Sequence, residues 1–217
     1  MTSDEWITLL EQYRVIAVIR SSDTGVAMKM AESMIQAGIR LIEITWNSHR
    51  PEVVIEKLTQ AYPHCVIGTG TILTQDHLQK AIAGGARFAF SPHTNTELIQ
   101  QAYTQDVPMI PGALSPSEIV TAWQAGAASV KVFPIKTMGG PEYLKSLRGP
   151  LGHIPLIPTG GVTMHNAIDF LETGAIAVGL STHLFPKPLV LQENWSMMTE
   201  RAKTLVNRLR GEGWLMR

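Results

Sequence analysis

The hydrophobic positions of this chain form short apolar runs separated by longer amphipathic stretches. Four times a helix-length stretch ends in glycine and a β-rich run follows, at residues 40–45, 88–90, 129–133 and 176–179. Glycine is the usual residue just past a helix end because it accepts the left-handed conformation. Prolines introduce three more runs, at 65–68, 109–110 and 156–157, and the run 15–19 precedes them all. The pattern therefore predicts eight strands.

Strands that alternate with amphipathic helices predict a parallel sheet, and eight such units close into a (β/α)8 TIM barrel. The first twelve residues predict an additional N-terminal helix, which could cover the bottom of the barrel. An open doubly wound sheet is the alternative architecture. No linker or low-complexity segment interrupts the pattern, so we expect a single domain over residues 1–217.

Composition narrows the classes of function. Of the 217 residues 45% are hydrophobic, which is typical of a folded globular protein, and 18 basic residues balance 18 acidic ones. This neutral balance gives no basic surface for nucleic acid or an anionic membrane. The single cysteine, the lack of a signal-peptide pattern at the N-terminus and the lack of a membrane-length apolar run favour a cytoplasmic location.

Lys131 is the most informative residue, because barrel enzymes place their sites at the C-terminal ends of the strands. It lies between Val130 and Val132, so strand alternation points it into the barrel if the valines face the helices. Burial favours the neutral amine, which attacks carbonyl carbons. The alternatives are a structural ion pair and a lysine that extends out of the barrel mouth. Lys136 is a rival lysine, but we expect it in a loop.

Glu43 has the same placement in the second predicted strand, between Ile42 and Ile44. Alternate strands of a barrel contribute side chains to the same layer, and the second and sixth strands stand opposite each other. We therefore expect Glu43 and Lys131 to face each other across the barrel mouth, where a carboxylate can move protons for the amine. A buried salt bridge between them with no chemistry is the alternative.

The ends of the last two strands predict an anion site. Gly160 and Gly161 leave backbone N–H groups open to a ligand, Thr163 is the expected N-cap of the next helix, and Ser181 and Thr182 add hydroxyls. Loops after the seventh and eighth strands with a helix N-terminus form the common phosphate site of barrels. A tight turn is the alternative for the glycine pair. The histidine spacing matches no metal-ligand signature, so we predict no metal site.

Seven stretches resemble one family, the 2-keto-3-deoxy-6-phosphogluconate (KDPG) and 4-hydroxy-2-oxoglutarate (KHG) aldolases, and the resemblance runs over nearly the whole chain. The matching stretches are AVIR at 17–20, IEIT at 42–45, GTGT at 68–71, SPH at 91–93, PG at 111–112, VKVFP at 130–134 and PTGGV at 158–162.

The resemblance implies a class I (Schiff-base) aldolase that needs no metal or other cofactor and cleaves KDPG to pyruvate and glyceraldehyde 3-phosphate. Cleavage of KHG to pyruvate and glyoxylate is a further expectation. It implies that Lys131 forms the Schiff base, Glu43 shuttles protons and Thr71 binds the pyruvyl carboxylate. Gly160, Gly161 and the hydroxyls after the last strand would bind the phosphate of the phosphorylated keto acid. The resemblance also implies a homotrimer.

Two positions depart from the family pattern. Some members carry an arginine four residues after the glutamate, where this chain has Asn47, while others have an arginine at the end of the first strand, as Arg20 is here. Either residue is a candidate to hold the substrate carboxylate. The phosphate loop, often Gly-Ser in the family, reads Ser181-Thr182, and the added side chain could weaken phosphate binding.

Several functions therefore remain as alternatives. Asn47-Ser48 resembles relatives that cleave the isomeric phosphogalactonate (KDPGal), so a KDPGal aldolase is one of them. The others are a phosphate-binding barrel isomerase or synthase, and a non-catalytic keto-acid binding protein in which Glu43 and Lys131 only stabilise each other.

Overall fold

The computed structural model describes residues 1–215, so the last two residues of the predicted domain lie outside the described residues. The strands are β1 (Val15–Ile19), β2 (Leu41–Thr45), β3 (Val66–Gly70), β4 (Ala89–Phe90), β5 (Met109–Ile110), β6 (Gly112–Ala113), β7 (Val130–Val132), β8 (Leu156–Pro158) and β9 (Val178–Leu180).

Helices alternate with these strands as the sequence predicts. The α-helices are α1 (Ser3–Tyr13), α2 (Thr24–Gln36), α3 (Pro51–Ala61), α4 (Gln75–Ala83), α5 (Thr96–Tyr103), α6 (Pro116–Gln124), α7 (Pro141–Leu151), α8 (Ala167–Glu172), α9 (Lys187–Leu191) and α10 (Trp195–Gly211), and a short 3-10 helix, η1, spans Ile135–Met138. None of the helices within residues 1–215 is long and apolar enough to cross a membrane.

All the strand pairs are parallel, and they form two ladders. A six-stranded sheet has the order β5-β4-β3-β2-β1-β9, and a three-stranded sheet has the order β6-β7-β8. The fifth predicted strand is split into β5 and β6 at Pro111, a residue type that has no N–H to donate to a ladder. On the other side a single bridge, from Thr159 to Gly179, links the end of β8 to β9. The parallel α/β architecture is confirmed, whereas the continuous closed ladder of eight strands stays a prediction.

Strand alternation separates two apolar layers. In β1, Val15, Ala17 and Ile19 belong to the large core that includes the buried faces of the helices. Ile16 and Val18, on the other face of the strand, belong to a smaller cluster with residues from several other strands. Apolar side chains of the strands therefore fill the face of the sheet that is turned away from the helices. A polar side chain on that face is unusual and needs an explanation.

The predicted N-terminal helix is confirmed as α1. Thr2 and Glu5 form a capping box that fixes its start, and Trp6 is fully buried in the smaller cluster. The Trp6 ring lies 4.8 Å from the Phe88 ring, and its Nε1 donates to the Ser129 hydroxyl at 3.0 Å. Because Ser129 precedes β7, α1 covers the N-terminal ends of the strands and leaves their C-terminal ends for a site.

Candidate active site

Lys131 lies in the middle of β7 and is only 6% exposed. Its neighbours Val130 and Val132 both pack in the large core with the helices, so the lysine points to the opposite face. The Nζ atom lies 4.7 Å from the centre of the Phe133 ring and 5.8 Å from that of Phe90. Burial lowers the pKa of the Lys131 ammonium, against the opposing effect of the Glu43 carboxylate, so burial favours the nucleophilic neutral amine.

Glu43 lies in the middle of β2 and is 1% exposed. Its Cα pairs with Val18 of β1 and Gly68 of β3, so this position is held by ladders on both sides. Burial raises the pKa of Glu43 to about 7, although the positive charges of Lys131 and Arg20 act in the opposite direction. A carboxyl group with this pKa both accepts and releases protons near neutral pH.

The two groups act on each other's charge without forming an ion pair. Each contributes to the pKa of the other, yet within residues 1–215 no Glu43–Lys131 contact falls inside the 4.0 Å limit of a salt bridge. The predicted alternative of a directly bonded buried salt bridge is therefore not the arrangement found. A carbonyl substrate or a water molecule between them could contact both groups.

Arg20 is exposed just beyond the C-terminal end of β1, and its charge lowers the pKa of both Glu43 and Lys131. Ser48 ties the loops after β1 and β2 together, because its hydroxyl accepts the N–H of Ser21 at 3.2 Å and lies 3.1 Å from the Thr45 hydroxyl. These hydrogen bonds hold the residue after Arg20 against the end of β2. Asn47, the other candidate for the carboxylate, is exposed in the same loop as Ser48.

Thr71 follows β3 with a left-handed backbone, at a φ of 59°. This conformation is unusual for a β-branched residue and persists only where the surroundings impose it. The residue is half-buried, and the N–H of the next residue, Ile72, donates to the Phe90 carbonyl at 3.1 Å. Such a strained position at a strand end is typical of functional sites.

The loop that contains Gly160 and Gly161, predicted to bind an anion, is hydrogen-bonded to the segment that follows Lys131. The backbone N–H of Ile135 donates to the Thr159 carbonyl at 3.0 Å, and that of Lys136 donates to the Gly160 carbonyl at 3.1 Å. Gly160 and Gly161 both have positive φ angles, of 81° and 106°. A Cβ on Gly161 would lie 2.3 Å from the Lys136 Cβ, so the stem of this lysine lies directly against the loop.

The expectation that Thr163 caps the next helix is wrong. That helix, α8, begins at Ala167 with Asn166 as its N-cap, because a turn over 164–166 comes first. The Thr163 hydroxyl accepts the N–H groups of His165 and Asn166, and the Thr163 N–H donates to the Asn166 carboxamide at 2.7 Å. Thr163 therefore caps a turn, and α8, with six residues, supplies no helix N-terminus for an anion.

Ser181 and Thr182 follow β9, and the Thr159–Gly179 bridge brings their loop beside the glycine pair. Ser181 is half-buried and Thr182 is exposed, and the Ser181 carbonyl accepts the N–H groups of Leu184 and Phe185. The structure thus places all the predicted polar residues at the C-terminal ends of the strands; their roles stay predictions. In the described part of the chain no three histidine, cysteine, aspartate or glutamate side chains form a potential metal site.

Some residues of the site were not identified from the sequence. The rings of Phe90 and Phe133 lie on either side of the Lys131 amine. Both residues lie in predicted strands, Phe133 in the same strand as Lys131 and Phe90 at the end of the fourth, but the pattern did not indicate that their rings contact the lysine. Ser48 joins two loops, which no local pattern indicates. Gly70 was noted only as part of a motif, yet its α-carbon lies against the Glu43 carboxylate.

The chain is similar to known aldolases over most of its length. Residues 7–201 match the family model described as KDPG and KHG aldolase. A 2-dehydro-3-deoxy-phosphogluconate aldolase of Pseudomonas aeruginosa is 31% identical over 201 residues, which are 93% of this chain and 91% of that protein. A KHG/KDPG aldolase of Escherichia coli K12 is 27% identical over 88% of this chain and 90% of its own length.

A solved structure with a similar fold is the KDPG aldolase of Legionella pneumophila, with pyruvate captured at low pH as a covalent carbinolamine intermediate. Its TM-score with this chain is 0.85, its sequence is 30% identical, and the alignment covers 92% of this chain and 97% of that one.

Proposed function

Because the chain belongs to the KDPG and KHG aldolase family, we propose that it is a class I aldolase in which Lys131 forms a Schiff base with the keto acid. KDPG is the proposed substrate, since the Pseudomonas aeruginosa relative carries the synonymous name 2-dehydro-3-deoxy-phosphogluconate aldolase. Cleavage of KHG is a proposed second activity, after the Escherichia coli relative named for both substrates.

The observation that carries this proposal is the pair of buried groups on β7 and β2. Burial favours the neutral form of Lys131 and the protonated form of Glu43, the forms that attack a carbonyl and donate a proton. A purely structural pair would be expected to make direct contact, because an isolated buried charge is costly. Here the two groups are not within ion-pair distance, which suits a site that holds a reactant between them.

In the proposed reaction the Lys131 amine adds to the C2 carbonyl and gives a carbinolamine, which loses water to form an iminium ion. The C4 hydroxyl then loses its proton, the C3–C4 bond breaks, and its electrons move into the iminium to form an enamine. The aldehyde leaves, the enamine gains a proton at C3, and water releases pyruvate and the amine. Glu43 carries the protons at these steps, directly or through water. The Legionella pneumophila structure, with its pyruvate carbinolamine, supports the first step by similarity.

We assign the two ends of the substrate to two groups of residues. Thr71 follows β3 and Arg20 follows β1, on either side of β2, and the two residues would hold the pyruvyl carboxylate. The charge of Arg20 already acts on Lys131 and Glu43. Gly160, Gly161, Ser181 and Thr182 would bind the phosphate. The Lys136 stem against Gly161 supports this assignment, because it places a cationic side chain beside that loop.

We also propose that residues 1–217 form one catalytic domain, that the two ladders belong to one closed (β/α)8 barrel, and that the protein assembles as a homotrimer. The single-residue gap at Pro111 and the Thr159–Gly179 bridge support closure. The family resemblance supports the homotrimer.

A substrate panel tests the function. KDPG, KDPGal and KHG are incubated with the purified protein, and released pyruvate is measured with a coupled assay. We expect KDPG to give the highest kcat/KM and Lys131→Ala to remove activity on every substrate. The matched variant Lys136→Ala should still turn over the unphosphorylated KHG, because Lys136 lies beside the proposed phosphate loop and not at the reacting carbonyl. KDPGal as the best substrate would correct the stereochemistry, and full activity of Lys131→Ala would refute the mechanism.

A further inference from the structure

The Glu43 carboxylate lies against the α-carbon of Gly70, the last residue of β3. A Cβ built on Gly70 would lie 1.7 Å from Glu43 Oε1 and 2.4 Å from Glu43 Cδ. Real Cβ atoms essentially never approach another heavy atom more closely than 3.0 Å. The carboxylate therefore occupies space that a side chain at position 70 would need.

The backbone does not impose glycine at this position. The φ of Gly70 lies outside the left-handed range, unlike those of Gly160 and Gly161, so an alanine could adopt the same conformation. The three atoms nearest to the built Cβ all belong to Glu43. The lack of a side chain at position 70 therefore makes room for one group, the side chain of Glu43.

We propose that Gly70 is a positioning residue of the active site, whose missing side chain leaves the space that places the Glu43 carboxylate for proton transfer with Lys131. This inference rests on the proposed role of Glu43. Gly70 itself contacts no substrate in this account; it acts through the carboxylate.

The surroundings determine which partner would move if the space were filled. The Gly70 backbone is fixed, because its Cα pairs with Thr45 and its carbonyl accepts the Trp46 N–H at 2.7 Å. The Glu43 side chain has rotatable bonds beyond its Cβ, and the atoms nearest to the built Cβ are the far end of this flexible side chain. A methyl group at position 70 should therefore turn the carboxylate away and leave the strand in place.

The first test is Gly70→Ala in the full-length enzyme. We expect a folded protein with a kcat lowered by about 10²-fold or more, the usual contribution of a positioned acid–base group. The matched control is Gly68→Ala on the same strand face, where the built Cβ would lie 2.5 Å from three atoms of the Phe88 ring. We expect this control to lower the melting temperature and to leave the pH dependence of kcat/KM unchanged.

The second test separates action through Glu43 from a general structural effect. In the Glu43→Ala background, Gly70→Ala should cause no further loss of kcat, because the clash and the displaced group are both gone. Glu43→Asp should restore part of the activity of Gly70→Ala, since its carboxylate sits one methylene closer to its own backbone. Losses that multiply in the double variant, or a Gly70→Ala enzyme with wild-type kcat, would overturn the proposal.

A measurement of the Glu43 pKa, which does not depend on turnover, separates the positioning role of Gly70 from the proposed catalytic role of Glu43. Carbon-13 NMR of the labelled Glu43 carboxyl should give a lower pKa in Gly70→Ala than in the wild type, because the displaced group reaches solvent. An unchanged pKa overturns the role of Gly70 whatever the enzyme catalyses. A fully active Glu43→Ala variant would instead refute the proposed function of Glu43.

Discussion

The buried Glu43 carboxyl should make the protein less stable as the pH rises through neutrality, and Glu43→Gln should remove this loss. In the folded state the pKa of Glu43 is raised from 4.5 to about 7, so the folded protein binds more protons than the unfolded chain between these values. Stability falls with pH wherever the folded state binds more protons. The sign is thus opposite to that of a salt-bridged carboxylate.

The magnitude follows from the same two values. They differ by about 2.5, and one pKa unit corresponds to about 1.4 kcal/mol, so ionisation of Glu43 should cost about 3 kcal/mol of unfolding free energy above pH 7. The cost should be absent below pH 4.5.

Urea unfolding of the wild type and Glu43→Gln at pH 5 and pH 8 measures this effect. The other titrating groups are common to both proteins, so the difference between the two free energies isolates position 43. We expect this difference to change by about 2.5 kcal/mol between the two pH values, because part of the cost is already present at pH 5, with the glutamine variant gaining relative stability at pH 8. Parallel pH dependences would refute the burial argument, and with it the perturbed carboxyl group.

Three further predictions follow from the site and the core. The kcat/KM of the wild type should fall as the pH rises through about 7, because Glu43 loses the proton that it donates, and Glu43→Gln should lose this limb in steady-state profiles. Gly161→Ala should raise the KM for KDPG more than the KM for the unphosphorylated KHG. The φ of 106° at Gly161 and its contact with Lys136 leave no room for a methyl group, so the proposed phosphate loop would be distorted. Equal changes for both substrates would contradict the phosphate assignment. Trp6→Ala should cost about 3–5 kcal/mol in urea unfolding, as for other buried aromatic residues, and leave kcat unchanged because it lies at the far end of the strands.

The order of strands and helices could be predicted because each element carries its own local signal. Alternation around Glu43 and Lys131 was enough to point both side chains away from the helices, and the apolar residues beside them lie in the helix-facing core. Thr2 and Glu5, which form the capping box of α1, likewise belong to one short segment.

What the sequence did not reveal depends on contacts between distant segments. The fit of the Glu43 carboxylate over Gly70 joins two strands, and the contact of Lys136 with Gly161 joins two loops. The start of α8 was placed too early, because a turn closed by Asn166 competes with the helix for the same backbone groups. Whether the ladder continues past Pro111 depends on hydrogen bonds to strands that are distant in sequence. The alternation of apolar and polar residues within one strand does not determine these bonds.

In the proposed mechanism Lys131 is the amine that bonds to the keto acid. Borohydride reduction of the protein in the presence of pyruvate, followed by peptide mass mapping, tests this most directly. We expect one stable pyruvyl adduct on the peptide that contains Lys131, and none on Lys131→Ala. An adduct on Lys136, or trapping that persists in Lys131→Ala, would contradict it.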